Sequence, residues 1–264
     1  MQGRVLIIAG SDSGGGAGIQ ADIKTVTALG GYAATAVTAL TAQNTQGVFA
    51  ILDVPPAFIA QQIDLVLADI GADCIKIGML NRADVIDAVA DAISRHAAGI
   101  PLVLDPVMVA KGGHPLLATD AIDVLRRRLL PMATVLTPNL PEAEALVGAA
   151  TPDKLAIHLQ ALGPKAVLVK GGHGSGPVLT DVLTIGDTPP EAFESERIDT
   201  TDTHGTGCTL ASAIATGLAQ QLDIRSAVLR ARAYVRQAII TAPGFGRGHG
   251  PLNHGHTIAP FTGA

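Results

Sequence analysis

Residues 4–26 read RVLIIAGSDSGGGAGIQADIKTV and pass from an apolar run through a glycine-rich loop into a stretch of helical spacing. Arg4 to Ala9 is aliphatic and β-branched, the composition of a strand covered on both faces. The loop from Ala9 to Gly18 lets the backbone take positive φ and lets a ligand approach closely. A helix is expected from about Ala17, with Ile19, Ile23 and Val26 on one face and unpaired amides at its start. The spacing fits neither the dinucleotide fingerprint nor the Walker A loop, because Lys24 and Thr25 lack the preceding glycine. A tight structural turn is the other reading of this loop.

The same strand-then-helix unit recurs along the chain. Apolar runs at Ala33 to Leu40, Cys74 to Ile77, Pro101 to Leu104, Thr134 to Leu136 and Ala166 to Val169 are each followed by helical spacing. Ile59, Ile63, Val66 and Ile70 share one helical face, as do Ile122, Leu125 and Leu129. Such alternation predicts an α/β fold: one domain over 1–264, with a central, mainly parallel sheet covered by helices on both faces. In such folds ligands bind beyond the carboxyl ends of the strands. Val178 to Ile185 reads as an additional hairpin pair. The glycine-, histidine- and proline-rich stretch from Pro243 to Ala264 reads as an ordered loop over the site.

The 264 residues are 48% hydrophobic and 16% charged, enough to bury a large core. The formal net charge of -5 provides no basic excess for a nucleic-acid backbone or an anionic membrane, so neither partner is expected. No run approaches the roughly 18 apolar residues of a spanning helix. The two cysteines, Cys74 and Cys208, and the absence of a leader-like N-terminus lead us to expect a cytoplasmic protein. Cys74 reads as a small core residue. His249, His254 and His256 crowd the tail without completing a tetrahedral zinc set, and read as pocket-wall histidines.

Two further groups carry chemistry. Asp202-Thr203-His204-Gly205-Thr206-Gly207-Cys208-Thr209 is a loop of glycine and hydroxyl residues that opens an apolar helix. Its amides converge on one point, as charge developing on transferring phosphoryl oxygens requires. Cys208 sits where a helix dipole would favour the thiolate. The second group stands at strand ends: Asp105, Asn139, Glu142 and Lys170. Carboxylate and amide oxygens suit magnesium and its waters, and a lysine suits a phosphate. Singly, Asn139 and Glu142 could cap the helix after Pro141, Asp105 could serve a turn, and Lys170 could be a solvated strand end. Together they describe a phosphoryl-transfer site.

These residues resemble the hydroxymethylpyrimidine and phosphomethylpyrimidine kinases of thiamine biosynthesis, a branch of the ribokinase-like vitamin kinases. The likeness spans almost the whole chain: Ala9 to Thr25, Thr38 to Thr45, Lys76 to Leu80, Asp105 to Met108, Thr137 to Glu144, Val169 to His173 and Asp202 to Thr209. It implies a ribokinase-like fold, a homodimer, and phosphorylation of 4-amino-5-hydroxymethyl-2-methylpyrimidine and then of its monophosphate, with ATP and magnesium. By the resemblance Gln43 contacts the pyrimidine, and its amide, donor and acceptor at once, matches a ring nitrogen beside an exocyclic amine. Gly10, Asp12, Met79 and Val107 would line the same pocket. Asp105, Asn139, Lys170 and Thr206 fall to ATP and its phosphates, Asp105 and Glu142 to the metal, and Gly205 to Cys208, with Lys170, to catalysis.

Most sugar kinases of the wider fold carry an aspartate base where this chain has Cys208, so the identity of the base stays open. Ser13-Gly14 replaces a proline and a serine common among relatives, which predicts a less rigid first loop. Pyridoxal kinase of vitamin B6 salvage is the competing activity on this scaffold, and Gln43 favours the pyrimidine. A non-catalytic vitamin or nucleotide sensor is the competing class. Lys170, Asn139, Glu142 and the intact 205–208 loop speak against it.

Overall fold

The computed structural model describes residues 1–264 apart from 111, 112, 115, 119, 174, 175, 260, 261 and 264, so the end of the expected tail loop lies partly outside the described residues. Among the described residues there are nine strands: β1 (Arg4–Asp12), β2 (Tyr32–Asn44), β3 (Gly47–Asp53), β4 (Cys74–Ile77), β5 (Leu102–Leu104), β6 (Val135–Leu136), β7 (Ala166–Val169), β8 (Val178–Ile185) and β9 (Glu191–Glu196). They form one sheet in the order β3-β2-β1-β4-β5-β6-β7-β8-β9. From β2 to β7 every pairing is parallel, while β3, β8 and β9 add antiparallel edges.

Alternating strand side chains feed two cores. Leu6, Ile8, Ile75, Ile77, Leu104 and Val167 pack against α2 (Pro56–Asp69), α3 (Ala83–His96), α4 (Ala121–Arg128), α5 (Leu140–Val147) and α6 (Pro152–Gln160). Val5, Ile7, Cys74, Val103 and Leu168 pack against α1 (Gly18–Ala28), α7 (Thr206–Ala219) and α8 (Ile224–Ile240). The expected sheet with helices on both faces is what forms. Parallel pairing aligns the carboxyl ends of β1, β4, β5, β6 and β7 on one edge, where Asp12, Met79, Asp105, Asn139 and Lys170 stand.

Two expectations need correction, and one strand, β3, had not been expected. Val178 to Ile185 is a single strand, and its hairpin partner is Glu191–Glu196, whose three glutamates disguise it. The edge strand β3 carries Phe49 and Leu52 outward rather than into the core, so it lacks the pattern of a buried strand. On α1, Ile23 is exposed and the buried face is Ala21, Asp22, Thr25 and Val26.

Asp22 turns inward because Lys76 does. Alternation on β4 aims Cys74 and Lys76 at the α1/α7 layer, where Lys76 Nζ lies 2.8 Å from Asp22 Oδ2 and both side chains are fully buried. Ser212 of α7 donates to Asp22 Oδ1 at 2.7 Å. Burial alone would push the Lys76 pKa down, but the Asp22 carboxylate outweighs it and holds the ammonium charged. Removing one member of such a pair strands the other in low dielectric. We expect Lys76→Met to cost about 3–5 kcal/mol in urea unfolding and Lys76→Met with Asp22→Asn to recover much of the loss. A single variant as stable as the parent contradicts this.

Candidate active site

Helix α7 begins with Gly205 as its N-cap, at φ +83° and with no side-chain cap. A Cβ at this position would lie 1.8 Å from the carbonyl oxygen of Gly16, so the two loops touch where only a hydrogen fits. The first turn of α7 thus starts beside the first glycine loop and leaves its amides for a ligand. Lys170 Nζ pairs with Asp105 Oδ1 at 2.8 Å, and Thr137 Oγ1 donates to the same oxygen at 3.1 Å. A Cβ built on Gly207 would sit 3.3 Å from Asp105 Oδ2 and 3.4 Å from Lys170 Nζ. The ion pair therefore rests on the opening turn of α7, and the two predicted groups are one site.

Asn139 and Glu142 form the helix cap that the sequence allowed. Asn139 Oδ1 accepts from the Glu142 amide and Glu142 Oε2 accepts from the Asn139 amide, both at 2.9 Å, as a capping box on α5. The cap leaves Glu142 beside the ion pair. Burial pushes its carboxyl up to about 7, with Lys170 opposing and Asp105 reinforcing the rise. Lys170 in turn is held charged: burial lowers its pKa, and Asp105 and Glu142 more than reverse that. Among the described residues no three metal-binding side chains enclose an ion. Two carboxylates flanking one lysine fit a magnesium ion that keeps waters and phosphate oxygens as most of its ligands.

On the other side of the α7 start, Gly10, Met79 and Val107 come together as expected. A Cβ on Gly10 would be 3.2 Å from Met79 Sδ, and Met79 centres a small apolar cluster that Val107 and Ala110 join. Asp12 behaves differently from the expected pocket lining. Its carboxylate, nearly fully buried, accepts from the amides of Gly14 (2.8 Å), Gly16 (3.1 Å) and Ala17 (2.8 Å), and meets His204 Nε2 at 2.8 Å. Burial pushes its pKa up, but His204 and these amides outweigh that and hold it below the ordinary value. Asp12 is the anchor of the loop. Ser13 Oγ accepts from Gln43 N at 2.9 Å and donates to Gln43 O at 2.8 Å, so the loop expected to be less rigid is tied to β2.

The sequence matches the family described as phosphomethylpyrimidine kinase over residues 12–253. The chain belongs to this family. It is 52% identical over 258 residues to the thiamine biosynthesis bifunctional protein ThiED of Geobacter sulfurreducens, covering 96% of this chain and 52% of that protein, so it spans about half the length of that relative. It is 46% identical over 259 residues to the hydroxymethylpyrimidine/phosphomethylpyrimidine kinase of Haemophilus influenzae, covering 95% of this chain and 96% of that one. An ADP complex of Bacillus subtilis pyridoxal kinase superimposes with a TM-score of 0.88 at 36% identity, covering 96% and 98% of the two chains, and the fold is ribokinase-like.

Within this kinase, Cys208 departs from expectation. Burial pushes its thiol up to about 11, Lys76 opposes, and Asp22 and Asp105 reinforce the rise, so desolvation overrides the helix dipole. Sequence reasoning also passed over His204, Asp22 and Lys76. His204 was visible only by its place before Gly205, and Asp22 and Lys76 are 54 positions apart, with nothing local to link them. The tail lies over the site as expected: His204 N donates to Gly250 O at 3.0 Å, His249 N to Thr45 O at 2.8 Å, and Thr209 Oγ1 is 3.0 Å from His254 Nε2.

The thiol assignment is directly measurable. Alkylation of Cys208 by iodoacetamide in the native kinase is expected to climb steadily from about pH 7 to about pH 10, following a pKa of about 11. A rate that levels off below about pH 8 means a thiolate and contradicts the assignment.

Proposed function

We propose that this kinase transfers the γ-phosphoryl group of ATP to the hydroxymethyl group of 4-amino-5-hydroxymethyl-2-methylpyrimidine, and then phosphorylates the monophosphate to the diphosphate, in thiamine biosynthesis. One observation carries the reading. The Lys170–Asp105 pair lies against Gly207, and the recess lined by Gln43 and His204 lies at the residue before Gly205, so the two flank the same helix start, which supports donor phosphate and acceptor alcohol meeting there.

In this reading the α7 amides and Lys170 receive charge as it accumulates on the transferring oxygens, and the fixed Asp105 carboxylate keeps the lysine aimed. Magnesium would supply further neutralisation of the phosphates, held by Asp105 and Glu142 through its waters. A loose transition state makes little demand for early proton removal, so a neutral Cys208 thiol is compatible with turnover and its backbone amide is its main contribution. The names of the curated relatives support the pyrimidine. The likeness to pyridoxal kinase keeps pyridoxal as the second acceptor to test. We propose a homodimer as well. Phe49 and Leu52 on the edge strand and Phe58 and Leu65 on α2 are all exposed, an apolar surface that a second copy would cover.

Release of ADP with ATP and magnesium should be well above background with hydroxymethylpyrimidine and its monophosphate, and well below them with pyridoxal and ribose. Dominance of pyridoxal overturns the pyrimidine assignment, and binding of ATP and pyrimidine with no ADP indicates a sensor. Lys170→Met should lower kcat by about 10²-fold or more while leaving the pyrimidine dissociation constant nearly unchanged. Gln43→Ala should instead raise the pyrimidine KM by about tenfold, the worth of one good hydrogen bond, with a small effect on kcat. Equal effects on both parameters at both positions contradict these roles.

A further inference from the structure

Between Asp12 and Gln43 lies His204, a residue to which the reading so far gives no task. Its Nε2 is 2.8 Å from Asp12 Oδ2 and 3.2 Å from the side-chain amide of Gln43. The other end of that amide is 3.1 Å from Thr41 Oγ1, which also lies 2.9 Å from the Ser11 carbonyl. Nitrogen and oxygen of a carboxamide are told apart by their partners, and here the partners decide.

Asp12 accepts three backbone N–H groups, so its carboxylate has only acceptor capacity left for His204, and His204 Nε2 must carry a proton. A protonated Nε2 cannot accept from an NH2 group, so the amide atom 3.2 Å from it is the Gln43 oxygen, which takes the minor share of the single Nε2 proton in a three-centre bond led by Asp12. At the opposite end, the single Thr41 hydroxyl proton goes to the Ser11 carbonyl, which leaves its lone pairs to accept from the Gln43 NH2 group. In the reverse orientation the Thr41 hydroxyl could turn its proton to the Gln43 oxygen, but the NH2 group would face the Nε2 proton, so His204 is what decides the orientation.

We propose that His204, held by Asp12, is a positioning residue that locks the Gln43 amide with its oxygen toward His204 and its NH2 toward Thr41, and so sets which heterocycle the kinase accepts. The proposal rests on Gln43 reading the pyrimidine edge, as proposed above. Gln43 and His204 line one narrow recess together with Ala110 and His249, adjoining the Met79–Val107 cluster, so the remaining N–H and the remaining oxygen lone pair face the acceptor. An aminopyrimidine offers a ring nitrogen that only accepts beside an amine that donates, a pattern served by one amide orientation. A pyridine bearing a hydroxyl tolerates either orientation, because a hydroxyl both donates and accepts. Freeing the amide therefore penalises the aminopyrimidine more than the hydroxypyridine.

The test compares His204→Leu, which removes the Nε2 donor, with His204→Gln, whose side-chain nitrogen reaches a similar point and restores one. For His204→Leu the ratio of kcat/KM for hydroxymethylpyrimidine over pyridoxal should fall by about threefold to thirtyfold, through the pyrimidine KM and with the ATP KM unchanged. His204→Gln should keep the ratio within about threefold of the parent. A change smaller than threefold in His204→Leu overturns the proposal, as does an equal loss on both acceptors, which marks a purely structural role. Long-range 1H–15N spectra of the unaltered kinase, with the His204 ring assigned by through-bond correlation to its own backbone, read the lock without turnover. Nε2 should be protonated, and a bare Nε2 overturns the proposal even if both variants fail to fold. A parent enzyme with no preference for the pyrimidine would sink the substrate reading alone, since the state of Nε2 would still decide the amide orientation.

Discussion

The contact between Gly205 and the Gly16 carbonyl is the constraint from which the rest of the site follows. It admits no side chain, and it forces α7 to begin within backbone distance of the loop that ends β1. Because α7 begins there without a side-chain cap, and only its first amide, that of Thr206, turns back to the Thr203 carbonyl, the amides of Gly207 and Cys208 are left beside the strand ends. His204 precedes Gly205 and so falls against Asp12, and Gly207 follows it and so falls under Lys170 and Asp105. One backbone contact thus places the Asp12–His204–Gln43 group and the Lys170–Asp105 pair on either side of one helix end.

Two ion pairs hold charge near that helix end, and they differ in access. Lys76–Asp22 lies fully buried beneath α7, while Lys170–Asp105 lies at the site itself, where the lysine retains partial exposure. The deeper pair is closed by Ser212 and offers nothing to a ligand, so it serves as a fixed strut between α1, β4 and α7. The outer pair has Glu142 beside it and a carboxylate oxygen turned toward Gly207, the position at which the proposed phosphate and cation would meet it. Between these pairs the Cys208 thiol stays protonated, because the carboxylates and the loss of water together exceed what Lys76 and a helix start supply.

Much of this was legible in the sequence because it was local or periodic. Aliphatic runs at β1, β4, β5 and β7 announced strands covered on both faces, and the residues just after them announced the site edge. Asn139 and Glu142 stood at capping-box spacing, and the helix cap is what forms. What stayed hidden depends on contacts across the fold. Asp22 drew no reading from the sequence, because its partner Lys76 lies 54 positions away. β9 was disguised by Glu191, Glu194 and Glu196, and the position of Cys208 at a helix start suggested a thiolate because burial cannot be read from a loop motif.

The central claim is that the start of α7, with Lys170, is where the phosphoryl group is transferred. A crystal structure of the kinase with a non-hydrolysable ATP analogue, magnesium and hydroxymethylpyrimidine tests it most directly. The account predicts γ-phosphate oxygens within about 3 Å of Lys170 Nζ and of the Gly207 and Cys208 amides, with the hydroxymethyl oxygen in line on the Gln43 side. A γ-phosphate bound away from that turn, with Lys170 still engaged by Asp105 alone, would contradict it.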